Sequence, residues 1–176
     1  PTRRSSDLCN FRMNEFTGAI MWAQLQKLET ICSRLRANAA KVRAGIADLP
    51  GLKLRTSADP EGDLGSTVFL DMGTRQRRDR FLSALTAEGV AGSAPGGSVD
   101  LPAHPRVEQK ATAHPAWPSF TSPQGRALRY GADCCPRTTE ILGRTGGVVL
   151  DPNYSEADLA DIVRALRKVY LAMRAA

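Results

Sequence analysis

Apolar residues recur every three or four positions near the start of the chain, between Asn14 and Asp48. This spacing places them on one side of a helix, so it predicts a long helix or two nearly continuous ones. Leu49-Pro50-Gly51 is expected to end it. The predicted stripe consists of Leu28, Ile31, Leu35, Ala39, Val42, Ile46 and Leu49.

A second stripe of the same period closes the chain and predicts a helix from Glu156 to Arg174. Ser155 followed by Asp158 indicates a capping box with Asp in place of Glu. The apolar side is predicted to consist of Leu159, Ile162, Val163, Leu166, Val169, Tyr170 and Met173.

Shorter elements are predicted between the two stripes. Ser66–Met72 is apolar and β-branched, which predicts a buried strand. Thr74 is expected to cap a helix over Arg75–Glu88 whose inner side carries Phe81, Leu82 and Leu85, and Gly89 to stop it. The remaining predictions are strands at Leu52–Arg55, Val90–Ala94 and Gly147–Leu150, and a helix at Asp133–Arg144 with Pro136 in its first turn.

The stretch 95–131 is the least regular part of the chain, because prolines interrupt any periodicity there. A loop of this length in a small domain is usually functional or disordered. The order of the elements around it is long helix, strand, helix, strand, loop, helix, strand, helix. This order predicts a small α/β domain with helices packed on one face of a sheet.

Composition excludes several classes of protein. Of the 176 residues 42% are hydrophobic and 24% charged, as in ordinary globular proteins. No apolar run is long enough to cross a bilayer, and the polar, basic N-terminus predicts no signal peptide. The cysteines and histidines do not have the spacing of metal ligands, so we expect no metal site. The cysteines also do not suggest a disulfide scaffold, so we expect a reducing, cytoplasmic setting. The cysteines are Cys9, Cys32, Cys134 and Cys135.

The net charge of +6 raises the hypothesis of nucleic-acid binding. Basic residues cluster only on one short predicted helix, and no aromatic residues alternate with them to form a stacking surface. We therefore expect a solvated helix face and no nucleic-acid partner. The clustered residues are Arg75, Arg77, Arg78 and Arg80.

The first eight residues, 1–8, resemble the translation of a short-read sequencing adapter. A natural basic tail is the alternative. We interpret this segment as foreign and leave it out of the fold. The interpretation implies that the natural protein continues upstream.

Two motifs resemble the DegT/DnrJ/EryC1/StrS family of sugar aminotransferases. The stretch from Asn10 to Phe16, followed by Gly18-Ala19 and 23–28, resembles the family pattern N-[YF]-R-M-x-E-x-x-A-A and then A-x-L-x-K-L. The stretch 135–142 and the later stretch 151–158 resemble the family's C-P helix, the strand after it and the closing helix.

The resemblance implies the C-terminal part of a type I, aspartate-aminotransferase-like fold that depends on pyridoxal 5'-phosphate (PLP). Residues 9–48 would be the end of the large domain and a long connecting helix, and 49–176 the small α/β domain. It also implies a homodimer with shared active sites. The implied reaction transfers an amino group from glutamate or glutamine to a keto-sugar, usually nucleotide-linked.

Transamination needs a lysine that holds PLP covalently. In the family this lysine and the acidic partner of the PLP ring lie upstream of the first motif, so we expect both to be missing here and the chain alone to be inactive. No lysine stands in the family's Ser-x-x-x-Lys setting. The lysines are Lys27, Lys41, Lys53, Lys110 and Lys168.

The resemblance makes Asn10 the candidate cofactor-binding residue, reaching the PLP phosphate of the partner subunit. Its position before a predicted helix start, where free N–H groups favour anions, points the same way, and a plain N-terminal cap is the alternative. Arg12 is a candidate for binding a substrate phosphate or carboxylate, or for an ion pair with Glu15.

In the irregular stretch, His104, His114 and Trp117 are candidates to line a sugar pocket, and simple exposure or loop anchoring is the alternative. The family's His-Tyr-x-x-Pro-x-His segment after Gly89 is missing, which leaves another keto-sugar open as substrate. A non-catalytic PLP-fold regulator or dimer partner is the competing hypothesis, and a lysine in the upstream sequence would separate the two.

Overall fold

Helices and one small sheet make up the fold. The computed structural model describes residues 13–95, 101–112 and 120–175. A 3-10 turn covers Leu101–Ala103. The helices and strands are, in chain order, α1 (Glu15–Leu25), α2 (Leu28–Ile46), β1 (Thr67–Asp71), α3 (Arg75–Ala87), β2 (Gly92–Ser93), α4 (Pro105–Glu108), α5 (Pro123–Ala127), α6 (Pro136–Arg144), β3 (Thr145–Val149) and α7 (Glu156–Ala175).

The first predicted helix is present as two nearly continuous helices. Only Gln26 and Lys27 separate α1 from α2. The N–H of Lys27 donates to the carbonyl of Gln24 at 3.0 Å, a tighter turn than the regular helix makes, while its carbonyl accepts from the N–H of Ile31 at 3.0 Å. This local change of hydrogen-bonding pattern ends one helix and begins the next without a loop.

The sheet is antiparallel throughout and has the strand order β1-β3-β2. The predicted strand at 52–55 is reduced to a single bridge between Leu54 and Leu70, although the N–H of Arg55 donates to the carbonyl of Phe69 at 3.0 Å beside it. The predicted strand at 90–94 is shortened to β2. The predicted strand at 147–150 begins earlier, directly after α6.

The core lies on one face of this sheet. Alternate positions bury Val68, Leu70 and Val148, and α2, α3 and α7 pack against them. The predicted apolar stripes supply most of the other core residues, with Leu28 the exception, since it is exposed. The largest fully buried members from the helices are Val42, Ile46, Phe81, Leu85 and Leu166.

One side chain buried with the core is polar and does not belong to the predicted apolar stripes. Nδ2 of Asn38 in α2 donates to the carbonyl of Asp151 at 3.0 Å. This bond ties the middle of α2 to the turn between β3 and α7, which brings the two apolar stripes together. It was not predicted, because nothing local to Asn38 indicates a partner more than a hundred residues away.

Two helices begin with the capping residues predicted from the sequence. Thr74 accepts a hydrogen bond from the N–H of Arg77 at 3.2 Å. The hydroxyl of Ser155 accepts from the N–H of Asp158 at 3.2 Å, and the Asp158 carboxylate accepts from the N–H of Ser155 at 2.8 Å. The second pair is the predicted capping box with Asp in place of Glu.

Prolines mark three further helix starts. Helix α6 begins at Pro136, not at Asp133 as predicted, because the ring of a proline disfavours the helical conformation in the preceding residue. Cys135 accordingly has φ −134° and ψ 63°. Within the stretch predicted to be irregular, Pro105 and Pro123 begin the short helices α4 and α5, since proline suits the first helical position.

Candidate functional site

Only some of the residues predicted for the site lie within the described ranges. Asn10, Arg12, His114 and Trp117 lie outside the described residues, so their roles stay predictions. The described part of the candidate site consists of His104, helix α1 after the first motif, and the basic side chains.

The N-terminus of α1 has its own cap. Oδ1 of Asn14 accepts from the N–H of Thr17 at 2.7 Å, and Glu15 places a carboxylate in the first turn. A cap acceptor and an acid both favour the helix start electrostatically. The cap accounts for one free N–H of α1, and the role of Asn10 stays a prediction that rests on the resemblance.

Helix α1 has an exposed apolar surface, since none of its side chains is buried. Phe16 is 76% exposed and Trp22 is 66% exposed. Its apolar residues are spread round the helix and do not form one stripe, which is typical of a helix enclosed by other protein. A Cβ on Gly18 would meet only the sulfur of Met13, at 3.8 Å, within this chain. The further exposed apolar side chains of this region are Met13, Ile20, Met21, Leu25 and Leu28.

His104 has a local structural contact. Its Nδ1 accepts from the N–H of Arg106 at 3.3 Å, which makes it the N-cap of the short helix α4. The residue is half-buried. This contact explains why a polar residue precedes Pro105, and a substrate-binding role for His104 stays a prediction.

Three of the five lysines have partners of their own. Lys41 pairs with Glu156, and Lys168 lies 2.7 Å from a carboxylate oxygen of Glu88. Nζ of Lys110 donates to two backbone carbonyls that follow one another at the end of α5, at 2.9 and 3.1 Å. These lysines support the packing of the fold.

The remaining two lysines are exposed. Lys27 lies at the junction of α1 and α2, and Lys53 lies beside β1. A lysine that holds PLP needs an enclosed pocket with an acidic partner for the PLP ring. None of the five lysines has this setting among the described residues, so those residues do not fit PLP by themselves.

Basic residues on α3 do not all form a solvated face. Arg75, Arg77 and Arg80 are exposed as predicted, but only 12% of the Arg78 side chain is exposed. Arg78 donates to the carbonyl of Leu142 at 3.3 Å and pairs with the residue after it, Asp79, at 2.7 Å. The prediction of a solvated face is wrong for Arg78, which packs between α3 and α6.

Two carboxylates held by cations fix the C-terminal end of α2. Both oxygens of Asp48 contact the guanidinium of Arg167, and these hydrogen bonds lower the pKa of Asp48. The N–H of Gly65 donates to Asp63 at 3.0 Å, and this bond, together with the guanidinium groups of Arg43 and Arg55, lowers the pKa of Asp63. These contacts serve the packing of α2 and involve no residue predicted for the site.

Membrane-spanning helices and metal sites are not found in the described ranges. No helix within 13–95, 101–112 or 120–175 combines the length and apolarity needed to span a membrane. Over the same residues, no group of His, Cys, Asp and Glu side chains is arranged to hold a metal ion.

Solved structures share this fold. TlmJ, an aminotransferase from Streptoalloteichus hindustanus, is 16% identical and superposes with a TM-score of 0.63 over 92% of this chain and 38% of its own. DesV from S. venezuelae, solved with a ketimine intermediate, is 20% identical, with a TM-score of 0.62 over 89% of this chain and 36% of its own. PseC from Helicobacter pylori, an aminotransferase of pseudoaminic acid biosynthesis, is 13% identical, with a TM-score of 0.64 over 93% and 39%.

The chain thus spans well under half the length of these structures. Its α/β fold is that of the C-terminal part of a PLP-dependent aminotransferase, as expected. The sequence model of one family matches residues 5–115, well over half of the chain. The match includes the first motif and begins inside the segment 1–8, so the adapter interpretation stays a prediction. The chain belongs to the DegT/DnrJ/EryC1/StrS aminotransferase family.

Proposed function

We propose that this chain is the C-terminal part of a cytoplasmic enzyme that transfers an amino group from glutamate or glutamine to a keto-sugar. In this proposal residues 9–48 end the large domain and 49–176 form the small domain. The observation that carries the proposal is the family match over residues 5–115. The shared fold, which extends over about nine-tenths of the chain, supports it.

The substrate in this proposal is a keto-sugar of the nucleotide-linked kind that the resemblance implies. In this proposal the 176 residues help to build the fold and to position the cofactor and the substrate. The lysine that holds PLP covalently belongs to a part of the enzyme upstream of the first motif. When bound, PLP supplies the electron sink that transamination needs. The lysines of this chain do not fit it, so no chemical step is assigned to them.

Five residues of this chain are proposed for the site on the basis of the resemblance. Asn10 would donate its amide N–H to the PLP phosphate of the partner subunit, and Arg12 would bind a substrate phosphate or carboxylate. The sugar pocket would be lined by His104, His114 and Trp117.

The bare surface of α1 supports a larger assembly. Phe16 and Trp22 are both exposed, and full burial of a side chain such as Phe16 stabilises a protein by roughly 1.5–3 kcal/mol. A soluble protein rarely leaves such a continuous apolar surface uncovered. In the proposed enzyme the large domain and the second subunit of a homodimer would cover it.

A first experiment incubates the 176-residue chain with PLP, removes the free cofactor by dialysis and only then reduces the protein with borohydride. We expect no yellow colour to survive dialysis and no lysine to carry a reduced adduct afterwards. Yellow colour that survives dialysis, followed by a reduced adduct on Lys53 or Lys110, would contradict the proposal that the covalent chemistry lies upstream.

A second experiment extends the reading frame upstream in the source DNA and assays the longer protein for amination of keto-sugars. A lysine in a Ser-x-x-x-Lys setting together with activity would support the enzyme, and Asn10→Ala is then expected to weaken PLP binding. Another residue at the lysine position, with an intact dimer, would support the non-catalytic regulator instead.

A further inference from the structure

A groove lies between helices α3 and α7. Its volume is about 480 Å³, and small-molecule sites usually measure about 300–1,000 Å³. The α3 side consists of positions 77, 80, 84 and 88, whose spacing of three or four residues places them on one side of that helix. The α7 side lies between Lys168 and Met173.

The middle of the groove is apolar. Val169 is buried in the core, and Met173 packs half-buried against that core. Ala84 and Ala172 line the same stretch. Because an alanine side chain is a single methyl group, these two residues leave the space between the longer side chains around them unfilled. A hydrocarbon ligand would be held there by the hydrophobic effect, since it would remove this apolar surface from water.

The two ends of the groove differ in charge. Glu88, where α3 ends, is already engaged, because both of its carboxylate oxygens lie 2.7 Å from Nζ of Lys168. Arg77 and Arg80 lie in the first half of α3, and neither forms an ion pair within residues 13–95, 101–112 and 120–175. A guanidinium group is a strong hydrogen-bond donor to carboxylate oxygens. The groove is therefore basic at one end, apolar in the middle and charge-balanced at the other end.

A ligand that fits this arrangement has one anionic end and an apolar body. A helix advances about 12 Å from residue 80 to residue 88, so the apolar body has to be short. We propose that the groove binds a medium-chain carboxylate, whose carboxylate contacts Arg77 and Arg80 and whose hydrocarbon chain covers Ala84 and Val169. This inference goes beyond the proposed function and does not depend on it, since the described residues that line the groove include none proposed for amination.

The test is NMR of the 176-residue chain, labelled with ¹³C at its methionine methyl groups and titrated with sodium octanoate. Both arginines are exposed, so the titration is made at low ionic strength, where salt screens their charge least. Met173 lines the groove, whereas Met13 and Met21 belong to the exposed apolar surface of α1 and report octanoate bound there. We expect a saturable shift of the Met173 signal. Sodium acetate, which lacks the hydrocarbon chain, should leave that signal unchanged.

Three variants and a neutral ligand separate the two parts of the site. Arg80→Gln should weaken octanoate binding about fivefold, the effect of one exposed ion pair. Ala172→Phe should abolish the Met173 shift, because the ring fills the groove. Arg34→Gln, at an exposed arginine on α2, removes the same charge elsewhere and should leave the affinity unchanged. The neutral ligand 1-octanol should bind more weakly than octanoate.

The three substituted side chains are exposed, so the circular dichroism spectra and melting temperatures of the variants should match the wild type. No saturable shift of the Met173 signal, shifts confined to Met13 and Met21, an equal loss of affinity in Arg34→Gln, or equal affinity for 1-octanol would each overturn the proposal.

Discussion

The central strand β3 begins Thr145-Gly146-Gly147, and its second glycine gives the sharpest test of the fold. A Cβ built on Gly147 would lie 2.1 Å from the carbonyl oxygen of Val68 and 2.9 Å from Cα of Phe69. Both atoms are backbone of β1, so no side-chain rotation can relieve the contact. Gly147→Ala must therefore push β1 away from β3 or distort one of the strands.

The expected cost is about 3 kcal/mol, the upper part of the range for overpacking, because backbone has to move. For a chain of this size that lowers the melting temperature by roughly 6–12 °C. The measurement is urea unfolding followed by far-ultraviolet circular dichroism, comparing midpoints at constant slope.

Gly146→Ala is the matched control. Its Cβ would meet Cγ of Arg78 at 2.9 Å and Cδ2 of Leu82 at 3.3 Å, and these side chains can shift. We expect a loss of about 1 kcal/mol. If Gly147→Ala were as stable as the wild type, or no worse than Gly146→Ala, the described pairing of β1 with β3 would be wrong.

Three further predictions concern packing and charge. Phe81→Ala, at a fully buried site, should lower the free energy of unfolding by about 3–5 kcal/mol in urea titration, and a loss below about 1 kcal/mol would contradict its burial. Asn38→Ala should lower the free energy of unfolding by about 1–3 kcal/mol in the same titration, because the carbonyl of Asp151 loses its donor. Arg36→Ala, at an exposed position of the same helix, should have little effect. Equal losses in the two variants would contradict the buried hydrogen bond. Asp63 has a lowered pKa, so its ionised form stabilises the fold above its unfolded pKa, and this contribution is lost as pH falls through the folded pKa. Asp63→Asn should therefore melt below the wild type at neutral pH and converge with it in acid; a constant difference in melting temperature would refute the linkage.

Much of the fold was predictable, because its core depends on periodic apolar positions. The stripes of α2 and α7 and the strand around Val68 are signals of this kind, and burial confirms them. Contacts that depend on pairing across the chain were not predictable. The short length of β2 and the single bridge at Leu54 depend on which segments of the chain pair with each other in the sheet. The local sequence pattern does not determine this pairing.

The site was less predictable than the fold. The motif around Asn10 indicated the family, and the family match includes it. The cap of α1 is Asn14, which a single sequence could not distinguish from Asn10, since both are good cap residues. The pairing of Lys41 and Lys168 with glutamates depends on tertiary packing between α2, α3 and α7.

Ser93 of β2 pairs with Gly147 of β3, so the chain leaves the sheet and returns to it on neighbouring strands. The two ends of the intervening stretch therefore lie close together in space. The length of the stretch does not affect how β2 and β3 are aligned. Helix α6 packs on α3 and belongs to the scaffold. A change in the length of the stretch ahead of Pro136 is accordingly expected to leave the register of β2 and β3 unchanged.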